Sequence, residues 1–318
     1  MIPAGPLRGI VAMICAMSMF ITNDVLIKLA LAELPMGEII SLRSAAGALV
    51  LLVVIIAMGD GRAILLAGQR RVALRSGLDG VTTFTYVLAL SVLPISTSTT
   101  IYMAAPLLTT ALAVPLLGES VSGRRWIAIL VGFSGALIVT RPSPSTFDVF
   151  ALLPLLAAFC GSLRDISTRG ISMVVPGTVV AFSTAVCLAL ASAVFALWET
   201  WRVPDLFPAL CILGSGLTFA LGNILMVFAF RNAPVAAISP LRYVLVPFSL
   251  FYGYVIFNHL PDMWGVAGTI LVVGAGLYSI RQEAMRGQQE ARARAAAAAI
   301  APSGAPLSAP VTCSPPRS

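Results

Sequence analysis

The sequence predicts an all-α integral membrane protein whose ten transmembrane helices form two inverted five-helix repeats. Three observations predict it: a composition too apolar for water, ten apolar runs of membrane-spanning length, and landmark residues recurring at an offset of 140 or 141. Of the 318 residues 58% are hydrophobic and only 10% charged, whereas a soluble chain carries about 25% charged residues to keep its surface wet. Such a chain cannot face water on every side. A soluble enzyme, a nucleic-acid binder and a disordered regulator are thereby excluded.

A bilayer core of about 30 Å needs roughly 20 apolar residues per helix. That length picks out spans at 8–29, 37–58, 75–92, 95–117, 124–140, 147–168, 177–198, 207–229, 235–257 and 263–281. The first could imitate a signal peptide, but it lacks a clear small-residue cleavage site and runs through Asn23-Asp24 into the second span. The fourth opens on the run Ser96, Thr97, Ser98, Thr99, Thr100, read as a helix cap. Trp126 and Trp264 open the fifth and tenth. Long alternation with period two is absent, which argues against a barrel.

Orientation follows from the basic residues. With both termini on one side, fourteen arginines lie on that side and only Arg141 and Arg202 on the other loops. The cytoplasmic side is the arginine-rich one, which puts both termini inside. The net charge of +7 is an address and requires no nucleic-acid partner. Beyond residue 286 the chain turns Ala-rich and then Pro- and Ser-rich, predicting a helical stub and a disordered cytoplasmic tail over 286–318. Four of the five cysteines lie in apolar runs, and the single histidine, His259, sits in an outer loop. Neither a disulfide framework nor a metal site is expected, and no cofactor motif is found.

The halves, 8–141 and 147–283, repeat one another. Asp24, Lys28 and Pro35 match Asp165, Arg169 and Pro176 at 141, while Pro94 and Arg141 match Pro234 and Arg281 at 140. Because each half holds an odd number of spans, the second is inverted in the membrane. Inverted repeats are the architecture of secondary transporters, with the substrate near the midplane between them.

The stretch from Ala89, ALSVLPISTSTTIYMAAPLLTTALAVPLLGESVSGRRWIAILVGFSGALIVTRP, resembles the EamA domain of the drug/metabolite transporter superfamily. Ala105-Pro106, Gly118-Glu119, Trp126, Gly132 and Gly135 carry the likeness, with LRSAAGAL from Leu42. The second copy, SPLRYVLVPFSLFYGYVIFNHLPDMWGVAGTILVVGAGLY, matches at Pro240, Tyr243, Phe257, Pro261, Gly268, Gly274 and Gly276. It departs at Asn258-His259, where the family has Gly-Glu, and at Ser183 or Thr184, which stand where Arg43 has its repeat counterpart. The resemblance implies a ten-helix carrier in a bacterial inner membrane, working by alternating access on amino acids and related compounds. Some members similar to this type take up S-adenosylmethionine. The implied partners are a small-molecule substrate and the lipid bilayer, with a homodimer as an oligomeric state to test.

An ionisable group within a span costs a few kcal/mol and normally faces a cavity or a partner. Asp24 and Lys28 share a helix face, either as an i,i+4 ion pair or as a site that opens to a zwitterion. Glu38 is expected near the outer surface and solvated. Arg43, deeper, is either a helix-bridging group or a clamp on a carboxylate. Asp79 beside Arg75 reads as a local pair. Arg164 and Asp165 read as interfacial, with Arg169 and Glu119 anchoring topology beside Arg124 and Arg125. Arg242 and Tyr243 follow Pro240 where the helix is expected to break, either as ligands or as an interfacial arginine and its neighbour. Tyr86, Tyr102 and Asn223 complete the candidate cavity lining. No G-x-x-x-x-G-K-[ST] loop is present, so the drive would be a gradient, exchange, or protons through Asp24 or Glu38. Two competing classes are weighed. A membrane enzyme would need clustered acids or metal ligands on the arginine-rich rim. A channel or structural subunit would not need inverted halves with buried charges.

Overall fold

The computed structural model describes residues 4–118, 123–140, 149–168, 171–172, 174–232 and 239–300. In chain order these form α1 (Ala4–Ala30), α2 (Met36–Ala57), a 3-10 segment (Gly61–Gly68), α3 (Arg70–Val92), α4 (Ile95–Tyr102), α5 (Ala105–Leu117) and α6 (Gly123–Thr140). The second half holds α7 (Leu152–Thr168), α8 (Gly177–Ala193), α9 (Leu206–Asn232), a 3-10 segment (Ser239–Val244), α10 (Leu245–Val255) and α11 (Met263–Ile300). No strand occurs among the described residues.

Seven of these stretches are long and apolar enough to cross a membrane: 7–30, 36–57, 95–116, 149–168, 177–197, 206–229 and 263–282. Residues 126–139 and 241–255 are shorter apolar helices. The third expected span is helical as α3, but Arg70, Arg71, Arg75 and Asp79 occupy its opening turns, so it is less apolar than the rest. Side chains such as Leu49, Leu130, Leu190 and Ile270 point outward and are well exposed. A helix apolar on all sides with such residues outermost is solvated by hydrocarbon rather than water.

The helix starts repeat as the sequence does. Pro35 (φ −66°, ψ 150°) precedes α2 and Pro176 (φ −62°, ψ 140°) precedes α8, each extended and each supplying a fixed φ where no backbone donor is needed. The fourth expected span is not one helix. Pro106 has no N–H to offer the Tyr102 carbonyl, so α4 stops at Tyr102 and α5 restarts at Ala105. Ala104 N–H instead bonds the Ile101 carbonyl at 3.0 Å, a tight 3-10 closure. The ninth span breaks likewise: Pro247 stands four residues after Tyr243, and the 3-10 segment gives way to α10 at Leu245. Tyr-x-x-x-Pro thus interrupts both halves at an offset of 141. The interruption expected near Pro240 is there, and its counterpart in the fourth span was not expected.

The broadest interfaces join α1 to α9, α6 to α11, α2 to α8 and α3 to α7. Small residues set the closest approaches, as in lipid-embedded bundles. A Cβ on Gly135 would lie 2.8 Å from the Gly268 carbonyl, and one on Gly268 only 2.6 Å from the Gly135 carbonyl, so α6 and α11 touch backbone to backbone. On α9, a Cβ at Gly216 would fall 2.7 Å from the Arg43 carbonyl. That approach presses α2 against α9 and fixes the position of Arg43. Helix α11 runs on to Ile300, past residue 286 where the tail was expected to begin, in keeping with the high helix propensity of alanine.

Candidate functional site

Asp24 lies on α1, well before its C-terminal end at Ala30, and is half-buried. One carboxylate oxygen accepts from Asn23 Nδ2 at 3.0 Å and the other from Tyr86 Oη at 3.2 Å. Asn23, 6% exposed, turns its amide oxygen to Arg43, whose Nη1 donates at 3.4 Å. Carboxylate and guanidinium therefore stand on either side of one amide and do not touch. Arg43 is buried, with its guanidinium 5.5 Å from the centre of the Phe219 ring and Nε lacking a partner. A guanidinium has five donors, and at least one here, the buried Nε, is left without a partner in the protein.

Around the carboxylate stand hydroxyls and rings. Tyr86 Oη is also 3.1 Å from Thr99 Oγ1, and its ring lies 5.1 Å from that of Tyr102, tilted by 51°. Thr22 Oγ1, two residues before Asp24 on α1, and Tyr252 Oη are 3.2 Å apart. Tyr102 sits at the break between α4 and α5, which brings it against Gly161 of α7. The Ser/Thr run does not cap α4 through its side chains. Pro94 starts that helix, while Thr99 turns inward to Tyr86 and Thr100 meets Thr269 at 3.3 Å.

Several sequence candidates fall elsewhere. Lys28 makes no pair with Asp24. Its Nζ donates to the carbonyls of Leu90 (2.5 Å) and Leu93 (2.6 Å), with the Phe257 ring centre 5.7 Å away. Those carbonyls close α3, where the last turn lacks intrahelical donors and the helix dipole favours a cation. Lys28 is a cap for a helix far away in sequence, which overturns the i,i+4 ion pair.

Glu38 is not solvated. It is 1% exposed, and its Oε2 accepts from the Arg202 backbone N–H at 3.2 Å. Glu199 in the same loop accepts from the Gly37 N–H at 3.0 Å and from Trp201 Nε1 at 3.3 Å. The two glutamates clasp the start of α2 to the loop between α8 and α9, so Glu38 is a fastening. Asn223 spends its amide on the Phe219 carbonyl of its own helix at 2.9 Å. Tyr243 is buried against Gly276, its hydroxyl without a partner.

A second polar constellation lies toward the arginine-rich end. Arg75 Nη1 meets Asp79 at 3.1 Å, as the local spacing predicts, and also donates to Thr184 Oγ1 at 2.6 Å. Asp79 accepts from Arg164 Nη1 at 2.6 Å, Arg164 in turn meets Asp165 at 2.9 Å, and Asp165 faces Arg242 at 3.9 Å. Five charges of alternating sign thus run across α3, α7 and the 3-10 segment. Arg164 and Asp165 are engaged across helices as well: Arg164 has 14% of its side chain exposed and is held by two carboxylates. Thr184, where the second half lacks a partner for Arg43, is instead served by Arg75 from α3. Arg124 lies exposed at the start of α6. Glu119, Arg169 and the Arg125 side chain lie outside the described residues.

Sequence reasoning missed Asn23 as the spacer, Thr99 as a partner of Tyr86, Tyr252 and Glu199. The Tyr-x-x-x-Pro repeat was the available signal for Tyr102. No group of three or more His, Cys, Asp or Glu residues suited to a metal occurs among the described residues.

Comparison with known proteins bears on this geometry. Residues 7–141 match the EamA-like transporter family. The chain is 32% identical over 206 residues to the S-adenosylmethionine uptake transporter of Rickettsia prowazekii, covering 64% of this chain and 68% of that one. It is 25% identical over 273 residues to the pseudopaline exporter CntI of Pseudomonas aeruginosa, covering 84% and 94%. A riboflavin transporter of Rhizobium johnstonii is 26% identical over 206 residues, covering 65% and 68%. A solved crystal structure shares the fold, with a TM-score of 0.61 at 18% identity over 84% of this chain and 94% of the other. Multi-pass membrane embedding and transport of a small metabolite are common ground for the chain and its relatives. The chain belongs to the EamA-like transporter family, within the drug/metabolite transporter superfamily.

Proposed function

We propose that the protein is a secondary transporter for a small metabolite bearing an amino-acid group, S-adenosylmethionine or an amino acid, and that it works by alternating access. The observation that carries this reading is the separation of Asp24 from Arg43 by the Asn23 amide. Two opposite charges held near each other but unpaired leave electrostatic capacity that a dipolar ligand completes, ammonium to Asp24 and carboxylate to Arg43. Tyr86 and Tyr102 supply ring surface and a hydroxyl beside the ammonium. The relative named for S-adenosylmethionine uptake agrees with this chemistry.

The architecture in this reading is ten spans in two inverted halves, 8–141 and 147–283, in a bacterial inner membrane with both termini cytoplasmic. Its support is the packing itself. Matching α1, α2, α3 and α6 with α7, α8, α9 and α11 turns the α1–α9 interface into α7–α3 and leaves α2–α8 and α6–α11 unchanged. The broken fourth and ninth spans correspond as well, and discontinuous helices at a repeat interface are where such carriers bind substrate. Drive comes from exchange, a substrate gradient, or protons through Asp24. Glu38, fastened to the Arg202 amide, is no part of it.

The test is uptake by the purified protein in liposomes, with radiolabelled S-adenosylmethionine, a panel of amino acids, and riboflavin. Saturable uptake of a compound carrying both ammonium and carboxylate, with weak competition by its decarboxylated analogue, is expected. Saturable uptake of riboflavin alone would overturn the dipolar reading.

A further inference from the structure

We propose that the five-charge chain Arg75–Asp79–Arg164–Asp165–Arg242 is the cytoplasmic gate of the transport cycle, with Arg164 its closing residue. This rests on the transporter reading and on the arginine-rich end being cytoplasmic. It assigns a function to residues that topology alone would treat as anchors.

The chain crosses the boundary between the halves: Arg75 and Asp79 come from α3, the other three from α7 and the 3-10 segment. Arg164 is gripped on one side by Asp79 across the boundary and on the other by its neighbour Asp165. Of the ion pairs in the chain, separating α3 from α7 breaks only the one between Asp79 and Arg164. Arg164 then keeps Asp165, Asp79 keeps Arg75, and neither charge is stranded. A contact that parts without orphaning its members can open reversibly, unlike a buried pair whose breaking leaves a bare charge. Arg75 also donates to Thr184 of α8, and Ser76 lies 3.3 Å from the same hydroxyl, so the seal continues sideways to α8.

The gate is wired to the site. Tyr102 lies against Gly161, one helical turn from Arg164 and Asp165, and its ring meets Tyr86, which bonds Asp24. The tyrosine pair is a floor between the two constellations. Displacement of Tyr86 when a ligand takes Asp24 moves the ring that rests on α7.

The test is cysteine accessibility, which needs no knowledge of the substrate. Thr82, buried on α3 one turn beyond Asp79 and facing Gly161 of α7, is replaced by cysteine in a variant whose native cysteines are changed to serine or alanine. Labelling by a membrane-impermeant maleimide is followed in inside-out vesicles. Asp79→Asn is expected to raise the labelling rate about tenfold, the size of one lost hydrogen bond to a charged group. Asp79→Glu and Arg164→Lys, which keep the alternation of charge, should each leave it near the parent value. An unchanged rate in Asp79→Asn overturns the gate. If that variant does not reach the membrane, Arg164→Gln decides in its place: faster labelling supports the gate, and an unchanged rate overturns it. A gate that responds in a protein indifferent to every dipolar compound would sink the substrate reading and leave the gate standing.

Discussion

In the proposed topology the constellation around Asp24 is the outer one and that around Arg164 the inner, and the two use positions 141 residues apart in opposite ways. Asn23-Asp24 and Arg164-Asp165 are equivalent at an offset of 141, and in each the first residue donates to the carboxylate of the second, at 3.0 and 2.9 Å. In the inner copy the donor is an arginine, and every carboxylate is neutralised by the chain itself. In the outer copy the donor is a neutral amide, and the nearby guanidinium is held off by its other end. The place of Asp79 is taken outside by Phe219 or Ala220, so no second carboxylate is present there. In the proposed cycle one scaffold makes a gate where charges satisfy one another and a binding site where they are kept just short of doing so.

Removing the outer carboxylate should break the contrast most. Asp24→Asn is expected to lower transport efficiency about a hundredfold, the loss of roughly 3 kcal/mol of charge pairing, with membrane insertion and yield unchanged. Wild-type uptake by this variant would take Asp24 out of the site. Asn23→Arg copies the inner arrangement into the outer position. It should raise KM about tenfold by giving Asp24 a resident cation, while the melting temperature in detergent holds or rises. A fall in stability with KM unchanged would mean that Asn23 only packs. Lys28→Met tests the boundary of the site from outside it. Loss of a helix-end cation should cost about 1 kcal/mol of stability and leave KM within twofold; a large KM change would return Lys28 to the substrate.

Much of this could be read without coordinates, because it depends on neighbours in sequence. Arg75 and Asp79 lie four apart on one helix and pair as that spacing dictates. The helix break at Tyr243 follows from a proline four residues on, and its twin at Tyr102 was equally readable from the same pattern. Lys28 and Glu38 went astray because their partners lie at Leu90, Leu93 and Arg202, with separations of 62, 65 and 164 residues. Depth estimated along one helix cannot say which neighbouring loop covers it.

Composition and hydropathy were sufficient by themselves for the membrane and the helices, since hydrocarbon rewards long apolar helices whatever they pack against. Which buried charges meet, which are fastened to backbone and which stand open was decided only by tertiary structure. An arginine within a span must find a partner, but its identity depends on which helix lies 3 Å away, and for Arg164 that was Asp79, 85 residues earlier in the chain.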